Sequence, residues 1–235
     1  MTLTHTDPPP DFTPSRLGRA VMGPGARLMF ALRMRSKLLL LALLLLLPLA
    51  LLLALILQHS WEEHTAAQDR LHGTELADRL LPLLLDTQKH RGLTQRVLNG
   101  DAAVDTLRPG LRSTLKDDVA RVDSLLATRT PGALHAAWGP LRKDLLSLAA
   151  GQHPAEAAAA FAVHSHAVTA ISNLGLLNGA ESGLLLDPNA ESHFLGELLV
   201  GILPATMEAV AVARGLGGGL LTKGEASPAE RSAVL

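Results

Sequence analysis

Residues 83–98 read LLLDTQKHRGLTQRVL, and their spacing is helical. At about 100° per residue, Leu76, Leu80, Leu83, Leu84, Val97 and Leu98 project in broadly one direction. Thr87, Gln88, Arg91, Thr94 and Gln95 fall in the same sector, whereas Lys89 and Arg96 point away from it. The inward stripe is thus interrupted by a polar patch about two turns long. Burying an unpaired guanidinium is costly. Arg91 therefore requires an internal carboxylate, a water-filled cavity or a ligand.

Toward the N-terminus lies LLLLALLLLLPLALLLALIL, Leu38 to Leu57, without a charged or hydrogen-bonding side chain. A run of this length spans a bilayer core, and Pro48 within it is tolerated better in a membrane helix than in a soluble one. It is too long for the apolar region of a signal peptide and no small-residue cleavage site follows, so it reads as a retained anchor. Arg16, Arg19, Arg27, Arg33, Arg35 and Lys37 precede it against Asp7 and Asp11, while Glu62, Glu63 and Asp69 follow it. By the positive-inside rule the N-terminus is cytoplasmic and residues after 58 are periplasmic. Of 21 basic and 22 acidic residues in the chain, 15 basic and 20 acidic lie after the span, which excludes a basic nucleic-acid footprint there. With no cysteine there are no disulfides and no thiolate metal sites.

The sequence predicts three parts. Residues 1–33, with TDPPPDFTP and MGPGAR, form a disordered cytoplasmic tail. Residues 34–58 form a transmembrane helix, and residues 59–235 a periplasmic helical-bundle sensor domain. Alternating β patterns are almost absent after the span and Leu and Ala dominate, so the fold class is all-α: a single transmembrane helix followed by an antiparallel up-and-down helical bundle. The first helix is expected to continue from the anchor to about Asn99. A second helical region covers about Pro109 to Gly151, interrupted by TRTPG and again near Gly139 and Pro140. A third covers about Pro154 to Leu186, and a fourth runs to about Thr222 from an Asp187 N-cap with Pro188 at the first helical position. Ser227 to Glu230, SPAE, is a capping-box pattern followed by only five residues. The chain is therefore expected to continue beyond Leu235.

Candidate ligand-binding residues follow from helical projection. Leu203, Met207, Val210, Arg214, Gly217 and Leu221 share one seam, which Arg214 interrupts as Arg91 interrupts the first. Two inward arginines fit an anion held by planar, charge-assisted hydrogen bonds; pairing with carboxylates of the bundle is the alternative. Phe161, His164, Val168, Ile171, Gly175 and Asn178 share another seam, which places His164 inward as a core histidine or a ligand contact. His164 and His166 point to opposite sides of a helix, and no two of the nine histidines after the span are three or four apart, so a helix-borne metal pair is unsupported. No catalytic set is found. RGLGGGLLTKG, Arg214 to Gly224, lacks the phosphate-loop spacing and follows a helix rather than a strand.

Three stretches, QKHRGLTQRVLNGD (88–101), SGLLLDPNAESHFLGELLVGILP (182–204) and ARGLGGGLLTKGEASPAER (213–231), resemble the N-terminal sensory region of bacterial transmembrane methyl-accepting chemotaxis proteins. Gln88, Arg91 and Gly92 are also similar to the Q-x-x-R-G motif of nitrate- and nitrite-sensing helical domains, in which arginines bind the anion. The resemblance covers about residues 35–235. It implies a non-enzymatic input module of a chemoreceptor in the bacterial inner membrane, without cofactor or metal, working as a homodimer in the lipid bilayer. The module would bind a small-molecule ligand, an anion such as nitrate, through Gln88, Arg91, Gln95, His164 and Arg214, and signal by helix displacement across the membrane. The same input regions sit on histidine kinases and diguanylate cyclases; a single-pass structural or interaction protein is the rival from another class.

Overall fold

A computed structural model of the protein describes residues 33–224. The expected disordered tail before Arg33 and the capping box at Ser227–Glu230 lie outside the described residues. These are all-helical, with no strand among them. The chain divides into two compact units, Met1–Glu62 and Glu63–Leu235.

Helix α1 covers Met34–Leu98 and includes Pro48 without a break. Proline removes one intrahelical hydrogen bond; the surrounding leucines, which are good helix formers, carry the helix across it. The large apolar side chains of this stretch, such as Leu44 and Leu53, are exposed. In the second unit the helix acquires a buried face, from Gly73 and Leu76 to Thr94. It stops where the sequence predicts, at Asn99–Gly100. Gly100 has φ +105°, the Asp101 N–H donates to the Arg96 carbonyl at 3.0 Å and the Gly100 N–H to the Val97 carbonyl at 3.0 Å. This is the paired Schellman geometry that a left-handed glycine permits.

A 3-10 segment, Ala102–Leu107, leads into α2 (Arg108–Leu126), then α3 (Ala133–Ala149) and α4 (Ala157–Glu181). Leu115, Val119, Val122 and Leu126 of α2 repeat at steps of four and three, as do Leu134, Trp138, Leu141, Leu145 and Leu148 of α3, and both rows enter one core with Leu80 and Leu83 of α1 and Val168 and Ile171 of α4. The predicted interruption at Gly139 and Pro140 does not occur: α3 runs through both. The residue before a proline is driven from helical geometry by its own Cβ, and Gly139 has none.

After α4 come a 3-10 turn at Leu184–Leu186, α5 (Ala190–Glu197), a π-helical turn at Leu198–Ile202 and α6 (Leu203–Lys223). The cap of α5 is Asn189, not Asp187: the Asn189 side chain accepts from the backbone N–H groups of Glu191 and Ser192. Asp187 instead accepts from the Asn189 N–H at 2.8 Å and pairs with Arg70 at 3.2 Å. The expected α6 seam is also displaced. Pro204, Ala211, Gly215 and Gly219 face inward, while Val210, Arg214 and Leu221 are exposed. Small residues define the buried face because the contact is close: a Cβ on Gly215 would meet the Phe161 ring at 3.2 Å, and one on Gly219 the Gln95 side chain at 3.2 Å.

Met34–Leu98, Ala157–Glu181 and Ala190–Thr222 are each long and apolar enough to cross a membrane; none of the most apolar window is buried in the first, against 33% and 22% in the others.

Two glycines test the packing with opposite signs. A Cβ on Gly196 would lie 2.4 Å from the Leu184 carbonyl oxygen, whereas one on Gly92 meets nothing within 4 Å. Gly196→Ala is expected to destabilise by about 2 kcal/mol or more, because backbone must move, and Gly92→Ala to stabilise by about 0.5–1 kcal/mol. Denaturant unfolding of the two variants checks both signs.

Candidate functional site

The polar patch of α1 is gripped from two sides. Arg91 is 1% exposed. Its Nη1 and Nη2 donate to the two carboxylate oxygens of Glu208 on α6, at 2.6 and 3.0 Å. Nη1 also donates to Ser165 Oγ of α4 at 2.8 Å, and Gln88 Nε2 donates to Glu208 at 2.9 Å. The guanidinium carbon lies 4.7 Å from the centroid of the Phe161 ring, so the cation is held by a fork and an aromatic face together. Of the three partners open to Arg91, this structure supplies an internal carboxylate.

On the next side of the same turn His90 meets His164, and both are fully buried. His164 Nδ1 contacts the Ala160 carbonyl at 2.7 Å. A carbonyl only accepts, so this nitrogen carries the proton and His164 Nε2 is the acceptor. His90 Nδ1, 2.8 Å from that Nε2, must then donate. Both rings are neutral in this chain of bonds. Burial pushes His90 down to about 3, helped by the nearby His164, Arg112, His153 and Arg108. Burial likewise lowers His164 to about 4 against the opposing Ala160 hydrogen bond, with His153 and Arg91 adding to the fall.

The outward side of these turns lines an open cleft of about 710 Å³. Lys89, Gly92, Leu93 and Arg96 of α1 form one wall, Leu107 and Leu111 a second, and Arg214, Gly215, Gly218, Leu221 and Thr222 of α6 the third. Lys89 pairs with Asp86 at 2.6 Å and Arg96 Nε with Asp101 at 3.0 Å. Arg214 makes no ion pair or hydrogen bond among the described residues.

The five candidate residues therefore separate. Gln88 and Arg91 converge on Glu208. His164 belongs to the neighbouring histidine pair, and Gln95 is half-buried beside Gly219 with its Oε1 unpartnered. Arg214, expected to face inward beside Arg91, is exposed at the cleft, because the glycine face of α6 rather than its leucine face packs inward. Sequence reasoning missed Glu208 and His90. Glu208 could have been found as the one carboxylate of α6; His90 projects between Leu83 and Val97, inside the apolar sector of α1, so the same helical projection could have found it. Among the described residues no group of three or more His, Cys, Asp and Glu could hold a metal ion, and nothing in the arrangement places a nucleophile beside a base. No protein-family model, curated protein or solved structure matches the chain.

The bridge is expected to be asymmetric. Glu208 keeps 26% side-chain exposure against 1% for Arg91, so an orphaned Glu208 regains water and an orphaned Arg91 does not. Arg91→Ala is expected to cost about 3 kcal/mol, Glu208→Ala about 4–5 kcal/mol, and the doubly apolar replacement less than either. A double-mutant cycle of unfolding free energies checks the order.

The histidine pair gives a pH dependence of known sign. Both folded pKa values lie below the unfolded value of 6.5, so the unfolded chain binds more protons as pH falls. The contribution is full above about pH 6.5 and drains away as pH falls through about 4 for His164 and about 3 for His90, by up to about 2–3 kcal/mol per pH unit while both groups are involved. Unfolding free energies measured from pH 7.5 to 4.5 should show this slope, and the His90→Leu/His164→Leu double variant a shallower one.

Proposed function

We propose that the chain is the ligand-sensing input module of a transmembrane receptor of the chemoreceptor kind, held in a bacterial inner membrane by the single apolar span at residues 34–58. On this reading the N-terminus is cytoplasmic, the helices after residue 58 form an antiparallel up-and-down bundle in the periplasm, and two copies act together. The observation that carries it is the unpaired guanidinium of Arg214 at a cleft whose opposite wall belongs to α1. An anion drawn there engages α6 and α1 at once, and α1 is the helix that contains the apolar run. A ligand that favours one packing of two helices over another shifts their equilibrium by its differential affinity. Leu195, Leu198 and Ile202, exposed at three- and four-residue steps, support self-association.

The test uses Ser60→Cys, an exposed position of α1, in protein reconstituted into lipid nanodiscs. Oxidation should cross-link two copies, and the rate should change several-fold on adding at least one of nitrate, acetate, hexanoate or phosphate in the wild-type background, with the change lost in Arg214→Ala. A rate indifferent to all four anions overturns the reading.

A further inference from the structure

The cleft is far larger than a compact anion needs and is mostly walled by hydrocarbon. Its volume of about 710 Å³ lies in the range of pockets that enclose organic ligands, whereas a water-sized species takes about 30 Å³. Leu93, Leu107, Leu111 and Leu221 come from four different segments and face this one space. They offer nothing to a small, strongly hydrated anion. The charge at the cleft is equally informative. Among the described residues three cations line it and no acidic side chain does, but Lys89 and Arg96 are neutralised by Asp86 and Asp101. Among the described residues one uncompensated positive charge remains, on Arg214, and it matches one negative charge on a ligand.

Resting on the anion-sensing reading above, we infer that the cleft takes an amphipathic monocarboxylate: a single carboxylate on the Arg214 guanidinium, which it fits as a planar fork, with a hydrocarbon body against the leucines. The glycines of the cleft belong to the same design. A Cβ on Gly218 meets nothing within 4 Å, so the space beside it is open, and a larger side chain there fills the cleft without displacing the packing. Extra carboxylates on the ligand gain nothing, because their cations are already paired.

Isothermal titration of the full chain in zwitterionic-lipid nanodiscs tests this with acetate, butyrate and hexanoate, with nitrate, with the dicarboxylate adipate and with neutral hexanamide, empty nanodiscs being subtracted. Affinity is expected to rise roughly fourfold per buried methylene along the carboxylate series. Nitrate, adipate and hexanamide should each bind at least tenfold more weakly than hexanoate. Arg214→Ala should abolish the preference for hexanoate over hexanamide, Arg214→Lys should restore part of it, and Gly218→Leu should abolish binding with the protein still folded by circular dichroism. Nitrate binding as tightly as hexanoate, through Arg214, would overturn the ligand class and leave anion sensing standing. If no anion binds, or if hexanoate binds equally to Arg214→Ala, both the ligand class and the anion-sensing reading fall.

Discussion

A guanidinium with 1% of its surface exposed has to be neutralised where it sits, and the arrangement around residues 83–98 follows from that requirement. Glu208 meets it, and in doing so fixes where α6 lies against α1. The carboxylate accepts from both terminal nitrogens of Arg91 and from Gln88, so a register shift of one residue in either helix would break three charge-assisted bonds together. The glycine and alanine face of α6 then becomes intelligible. The carboxylate reaches the arginine only if the helices approach closely; Gly219 removes a side chain that would strike Gln95 and Asn99 at the end of α1, and Gly215 one that would strike Phe161 of α4.

The neighbouring histidines solve a related problem by different means. Where Arg91 keeps its charge and acquires a counter-charge, His90 and His164 give up their charge and donate in a fixed order, His90 to His164 and His164 to the Ala160 carbonyl. The first tie joins α1 to α6 and the second joins α1 to α4. A third lies about 27 Å further down α1, where Asn178 donates to the Gly73 carbonyl at 2.7 Å. Leucine and alanine cores attract without specifying register. Three polar ties, two in different directions from one turn of α1 and one far along it, supply the specificity that the apolar surface lacks.

Much of this was legible in the sequence, and the failures have physical causes. The end of α1, the inward direction of Gln88 and Arg91, and the His164–Asn178 seam follow from helical period and turn chemistry, which act locally. Glu208 was missed because the partner of a buried charge is chosen by tertiary packing 117 residues away. The buried side of α6 was misread because hydrophobic periodicity weighs leucine above glycine, while close helix contact reverses that order. At Asp187 and Asn189 two adequate caps lay two residues apart; the Asp187–Arg70 pair takes the first and leaves the second to start α5. Gly139 and Pro140 read as a break because each alone weakens a helix, although the first relieves the clash that the second creates.

The two faces of the same helical turns carry opposite chemistry. Between residues 89 and 96 of α1, positions 90, 91 and 94 are buried, and positions 89, 92, 93 and 96 line the cleft. Glu208 and Arg214 divide in the same way on α6, separated by about 9 Å along the helix. A ligand on Arg214 and the leucines of α1 therefore acts at a short lever arm from the Arg91–Glu208 bridge rather than directly on it. The bridge is part-buried and bidentate, so sliding of α6 along α1 would break both of its bonds together. On the proposed reading, small motion about that point, rather than breakage of the ion pair, is the displacement available to a ligand of modest affinity, because breaking the pair would demand more free energy than a single carboxylate contact supplies.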